Sequence, residues 1–128
     1  MILAVGLDLV EIDRFRTSLE RGGVRFRERL FTPREQALAR PLGREAEFLA
    51  GRFAAKEAVL KCLGTGWSQG VAWRDVEILS TPGGAPELSL AGRAAEVAAG
   101  LGFRGWTLSI THTERTAAAV AVAHGPDA

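Results

Sequence analysis

The segment 45–63 constrains this chain most, because its spacing predicts a long helix that lies mostly inside the protein. With successive residues turned by about 100°, Phe48, Leu49, Phe53, Ala55, Val59, Leu60, Cys62 and Leu63 cover well over half its circumference. A helix apolar over that much of its surface must be covered on several sides. Gly64-Thr65-Gly66 then stops it, with Gly64 as the C-cap. Yet the same helix carries Arg52, Lys56, Glu57 and Lys61. Charges in such a setting are costly unless they are paired or meet a ligand or metal.

The remaining segments fit around that helix. Ile2 to Val10 reads as a buried strand with Asp8 near its end. Arg14 to Arg29 is helical in its first half, with Gly22-Gly23 as a break. Thr32-Pro33-Arg34-Glu35 has the pattern of a capping box, starting a helix that runs to about Arg40. Trp73 to Leu79 alternates like a strand, Thr81-Pro82-Gly83-Gly84 is a turn, and Pro86 to Leu90 is a second strand. Ala91 to Leu101 makes a short helix, and Trp106 to Ile110 with Thr116 to Ala123 a final hairpin. The expected class is α+β: one small domain, residues 1–124, of mainly antiparallel strands packed on a long central helix, with 125–128 as a tail.

Composition removes several function classes. Sixteen basic and fifteen acidic residues leave a net charge of +1, which does not fit a protein that coats nucleic acid. One cysteine, Cys62, and two histidines exclude a disulfide scaffold, a thiolate cluster and a histidine-only zinc centre. The apolar start lacks a basic lead and is interrupted at Asp8, and no apolar run reaches the ~18 residues that span a bilayer. A cytoplasmic protein with no membrane partner is expected.

Charge placement is more informative than charge total. Fourteen of the sixteen basic residues are arginine, and both lysines fall within Lys56-Glu57-Ala58-Val59-Leu60-Lys61. Lysine is a compact point charge suited to a leaving group. The plain alternative is a Glu57–Lys61 pair one turn apart, worth only about 0.2–0.5 kcal/mol. Asp8 is either a turn former or, with a helix glutamate, part of the sparse oxygen set that suits Mg²⁺ beside phosphates. Gly64-Thr65-Gly66 is no P-loop, since Lys61 precedes the glycines. His112, among hydroxyls and backbone N–H groups, sits where an anion could bind or is merely exposed. Arg14 to Arg29 carries a net +4, which leaves the rest of the chain at −3 and favours an acidic protein helix as partner.

These blocks together resemble the holo-acyl-carrier-protein synthase family of 4′-phosphopantetheinyl transferases. The resemblance is carried by Gly6-Leu7-Asp8-Leu9-Val10-Glu11-Ile12 with Arg14, by Phe31-Thr32-Pro33 with Glu35, and by Gly51-Arg52-Phe53-Ala54-Ala55-Lys56-Glu57-Ala58 with Lys61. Ser109-Ile110-Thr111-His112-Thr113 completes it, and the similarity extends to about Ala123. It implies transfer of phosphopantetheine from coenzyme A to a serine of an acyl carrier protein, as in fatty acid biosynthesis, with release of adenosine 3′,5′-bisphosphate. Under it Asp8 and Glu57 would ligate Mg²⁺, with both counted as catalytic. Lys61 would sit at the bridging or leaving phosphate, and Arg52, His112 and Thr113 would hold the 3′-phosphate. Arg14, Arg21 and Arg25 would dock the carrier, and homotrimers would carry sites at subunit interfaces. The competing reading is a non-catalytic module that binds an acidic helix through Arg14 to Arg29. Cys62 departs from the small apolar residue usual there, and the tail has no role the resemblance assigns.

Overall fold

A computed structural model describes residues 1–66 and 68–127. Its elements follow the chain as β1 (Ile2–Glu11), α1 (Ile12–Leu30), α2 (Pro33–Ala39), α3 (Glu45–Leu63), β2 (Val76–Ser80), β3 (Pro86–Leu90), α4 (Gly92–Gly100), β4 (Gly105–His112) and β5 (Thr116–His124). An antiparallel sheet in the order β1-β5-β4 lies on α3, and β2-β3 forms a separate antiparallel hairpin. The architecture is the expected α+β domain with its long helix at the centre.

α3 runs over the expected span and ends at Gly64, whose φ of 76° is the left-handed conformation of a C-cap. Its neighbours are small. Ala117, Ala119, Ala121 and Ala123 of β5 turn inward against it, and Gly6 of β1 passes so close that a Cβ there would lie 2.0 Å from the Ala58 carbonyl oxygen. Only glycine permits that approach, which brings the β1 backbone, and Asp8 two residues later, onto α3. Cys62 is a buried core residue, its Sγ 3.5 Å from the Ala121 carbonyl, and burial pushes its thiol pKa up.

Two expectations are corrected. β1 is not a buried strand: Val5, Leu7 and Leu9 are 62%, 59% and 67% exposed, and the strand sits at the sheet edge. Its apolar residues lie on both faces, and α3 covers only one of them. The stretch 73–79 is not all strand, because Trp73–Asp75 form a 3-10 turn in which Asp75 Oδ2 accepts the Ala72 N–H at 3.0 Å. The apolar-polar alternation there disguised a local side-chain cap, which competes with strand pairing. The break expected at Gly22-Gly23 is present: Gly23, with φ of 57°, leaves the helical conformation at a kink, and the chain beyond it is helical again as far as Leu30. The Thr32–Glu35 capping box forms as expected. In the tail, the Gly125 N–H donates to the Met1 carbonyl at 2.8 Å and Asp127 pairs with the Met1 amino group at 3.0 Å, while Ala128 lies outside the described residues.

Candidate active site

Asp8 and Glu57, 49 positions apart in sequence, line one open cleft of about 590 Å³ with Leu9, Val10, Glu11, Arg14, Phe15, Ser18, Phe53 and Thr116. β1 delivers Asp8 and α3 delivers Glu57, and the Gly6 contact sets the two elements together. Phe15 and Phe53, with ring centres 5.4 Å apart, form the apolar part of its wall. Lys61 Nζ donates to Asp8 Oδ1 at 3.2 Å and to the Leu7 carbonyl at 2.8 Å. The simple Glu57–Lys61 helix pair does not form, because Asp8 claims the ammonium.

Glu57 is therefore left without a cation partner among the described residues. Burial raises its pKa above the usual carboxylate range, and the charge of Asp8 adds to the rise, against a smaller opposing effect of Lys61. Two carboxylates facing one cleft, one half-buried and unpaired, have the oxygen chemistry of a divalent cation site that leaves positions for water and phosphate. No larger group of three or more ligating side chains occurs among the described residues. The donor set fits Mg²⁺ and not a closed zinc centre.

Arg52 and His112 belong to a second cavity of about 190 Å³, with Arg44, Glu47, Phe48, Gly51, Gly84, Pro86 and Ile110. Arg52 is nearly buried, and its Nη2 donates to Ser80 Oγ at 2.7 Å and to the Leu79 carbonyl at 3.3 Å. Its Nε is buried with no partner. Desolvation lowers its pKa, opposed by the charge of Glu35. A fixed guanidinium with a spare buried donor is suited to an anion. Thr113 lies on the adjoining shallow hollow with Arg44, Glu47, His112 and Glu114. Its Oγ1 accepts the Thr116 and Arg115 N–H groups at 3.2 and 3.3 Å, which closes the β4-β5 turn.

One chain thus divides the sequence-derived residues between two places: Asp8, Glu57, Lys61 and Arg14 on one side, Arg52, His112 and Thr113 on the other. Arg21 and Arg25 are exposed on α1 and do not line the cleft. Nor is the whole basic segment free. Arg27 is held bidentate by Glu45 at 2.6 and 3.1 Å, and Arg16 by Asp13 and Glu47.

Lys56 proves structural. It is fully buried, 2.8 Å from Glu35 Oε1, and donates to the Trp73 and Val76 carbonyls at 3.1 and 2.5 Å. Glu35 in turn accepts the Thr32 and Ile78 N–H groups, each at 2.9 Å. Clustering of the two lysines in the sequence therefore marks two separate tasks. What the sequence reading missed is Arg44, which lines both hollows, and Glu47 beside it. Their helix-start position, outside the recognised block, carried no signal.

Comparison with known proteins places the whole chain in one family. Residues 4–121 match the 4′-phosphopantetheinyl transferase superfamily. The holo-[acyl-carrier-protein] synthase of Desulforudis audaxviator is 51% identical over 126 residues, 98% of this chain and 95% of that protein. The one from Koribacter versatilis is 46% identical over 119 residues, 93% of this chain and 95% of that protein. The crystal structure of the Neisseria meningitidis synthase superposes with a TM-score of 0.87 at 34% identity, covering 97% of this chain and 99% of that one. That of the Helicobacter pylori synthase in complex with coenzyme A gives 0.83 at 30% identity, covering 94% and 100%. The chain belongs to the holo-[acyl-carrier-protein] synthases of the 4′-phosphopantetheinyl transferase superfamily.

Proposed function

We propose that this enzyme transfers the 4′-phosphopantetheine group of coenzyme A to a serine hydroxyl of an apo acyl carrier protein. The observation that carries the reading is the shared cleft of Asp8 and Glu57, with Lys61 bonded to Asp8 at its edge. The serine oxygen forms a bond to the phosphorus that bears pantetheine. The bond from that phosphorus to the bridging oxygen breaks, and adenosine 3′,5′-bisphosphate leaves with the bridging oxygen.

Asp8 and Glu57 would hold Mg²⁺, which when bound neutralises and orients the diphosphate. Glu57, with its raised pKa, takes the serine proton, either itself or through a water it orients. Lys61 offsets the negative charge that grows on the leaving bisphosphate. Arg52, with its spare Nε, His112 and Thr113 receive the 3′-phosphate. Arg14, at the cleft and highly exposed, meets the acidic carrier helix first, and Arg21 and Arg25 extend that surface along α1. A non-catalytic binding module would need neither the paired carboxylates nor the second cavity.

The exposed apolar face of β1 supports self-association, because an uncovered stripe of Val5, Leu7 and Leu9 on an edge strand is costly in water. The family resemblance supports reading the assembly as a homotrimer, in which the cleft of one subunit would meet the Arg52 cavity of the next. Sedimentation would show three chain masses, and Leu7→Glu would reduce them to one; a wild-type single chain contradicts the trimer. No described helix is long and apolar enough to cross a membrane. A cytoplasmic role in fatty acid biosynthesis completes the reading, and fractionation of cells tests the location. The transfer itself is tested by mass spectrometry of an apo carrier incubated with coenzyme A, Mg²⁺ and this protein. The carrier should gain one phosphopantetheine; an unchanged mass contradicts the proposal.

A further inference from the structure

Arg16 reaches across from α1 to α3. Its Nη1 donates to Asp13 Oδ1 at 2.7 Å, and its Nη2 donates to Glu47 Oε1 at 2.6 Å. Glu47 stands on the wall of the cavity that holds Arg44, Arg52 and His112, and it also borders the hollow with Thr113. A carboxylate on that wall opposes any phosphate bound there, by like charge at short range. Asp13, three residues before Arg16, fixes the guanidinium in place, and the Arg16–Glu47 bond is partly buried, where screening is weaker.

We infer that Arg16 is a positioning residue for the nucleotide: it neutralises and restrains Glu47, so that the 3′-phosphate of coenzyme A can settle beside Arg52 and Arg44. This rests on the assignment of that cavity to the 3′-phosphate. Arg16 lines neither hollow, so it acts through Glu47 and does not touch the ligand. The pair also joins the carrier-facing helix to the nucleotide wall, a link between two surfaces that belong to different substrates.

The test is calorimetric binding of coenzyme A and of 3′-dephospho-coenzyme A to the intact protein with Mg²⁺ and without carrier, so that docking on α1 does not enter. Arg16→Ala should weaken coenzyme A about fivefold, the effect of one nearby charge at high effective dielectric. It should weaken the dephospho compound much less. Arg16→Lys should restore most of the loss. In a Glu47→Gln background, Arg16→Ala should have no further effect. Equal weakening of both ligands, or the same loss with and without the Glu47 carboxylate, overturns the inference, as does unchanged coenzyme A affinity. Arg52→Ala tests the underlying assignment separately: it should abolish discrimination between the two ligands. Retained discrimination would remove the 3′-phosphate from this cavity, and the role of Arg16 with it.

Discussion

Lys61 reaches back from α3 to β1, where its Nζ lies 3.2 Å from Asp8 Oδ1, although Glu57 is one turn away on its own helix. The half-exposed ammonium thus anchors one carboxylate of the cleft and leaves the other free. In the proposed reaction the same charge meets the departing phosphate. Lys61→Ala is expected to lower kcat by about 100-fold, the usual loss for one transition-state charge partner. Coenzyme A affinity should change far less. Steady-state kinetics with an apo carrier checks this, and an unchanged kcat would remove Lys61 from the reaction.

Arg14 is exposed at the edge of the cleft, with only a 4.0 Å approach from Glu11. Arg14→Glu should raise KM for the carrier tenfold or more, about the effect of reversing one charge at an interface. KM for coenzyme A should move little, and the carrier effect should shrink with added salt. Equal effects on both substrates would show that α1 is not the dock.

The Lys56–Glu35 pair is enclosed on all sides. Burial lowers the Lys56 pKa, and the Glu35 charge and hydrogen bond oppose that effect. Lys56→Met leaves Glu35 charged and buried without its cation, a loss of about 3–5 kcal/mol in stability. Urea unfolding measures it. At temperatures where the variant stays folded, activity per folded molecule should be close to wild type. A stable but inactive variant would return Lys56 to the chemistry.

Arg27 and Glu45 tie α1 to the start of α3, and their shifts agree in sense. The hydrogen bond from Arg27 lowers the Glu45 pKa, and the bond to Glu45 raises that of Arg27. A depressed carboxylate stabilises the fold fully above its unfolded pKa of about 4.3 and loses that contribution as pH falls through the lower folded value. Both side chains are partly open to solvent, so the pair is worth no more than about 1 kcal/mol. Arg27→Met should cost this amount at neutral pH. The difference from wild type should close as the medium is acidified below that range, as read from urea midpoints. A constant difference across that range contradicts the assignment.

Much of the fold could be read from local pattern. α3 and β3 appear over their expected spans because a long apolar helix with a glycine stop, and a short strand after a Pro-Gly-Gly turn, leave few alternatives. Where the reading failed, the deciding partner was remote, missing from the single chain, or a side chain that competes locally with strand pairing. β1 is apolar on both faces, yet only α3 covers it here, so hydrophobicity alone misjudged its burial. Trp73–Asp75 alternate like a strand, but the Asp75 carboxylate captures a local N–H. Lys56 and Lys61 look alike in sequence. What separates them is Glu35, 21 positions before one, and Asp8, 53 before the other. The meeting of Asp8 with Glu57 was legible only through the family resemblance, since no local spacing relates a strand end to a helix 49 residues on.

The central claim is that Asp8 and Glu57 jointly hold one divalent cation against the diphosphate of coenzyme A. Calorimetric titration of coenzyme A with and without Mg²⁺, on wild type, Asp8→Asn and Glu57→Gln, tests it most directly. Wild type should bind coenzyme A at least tenfold more tightly with Mg²⁺, roughly 1.4 kcal/mol, and each variant should lose that enhancement while unfolding at a temperature no lower than wild type. Full metal dependence in both variants would contradict the account.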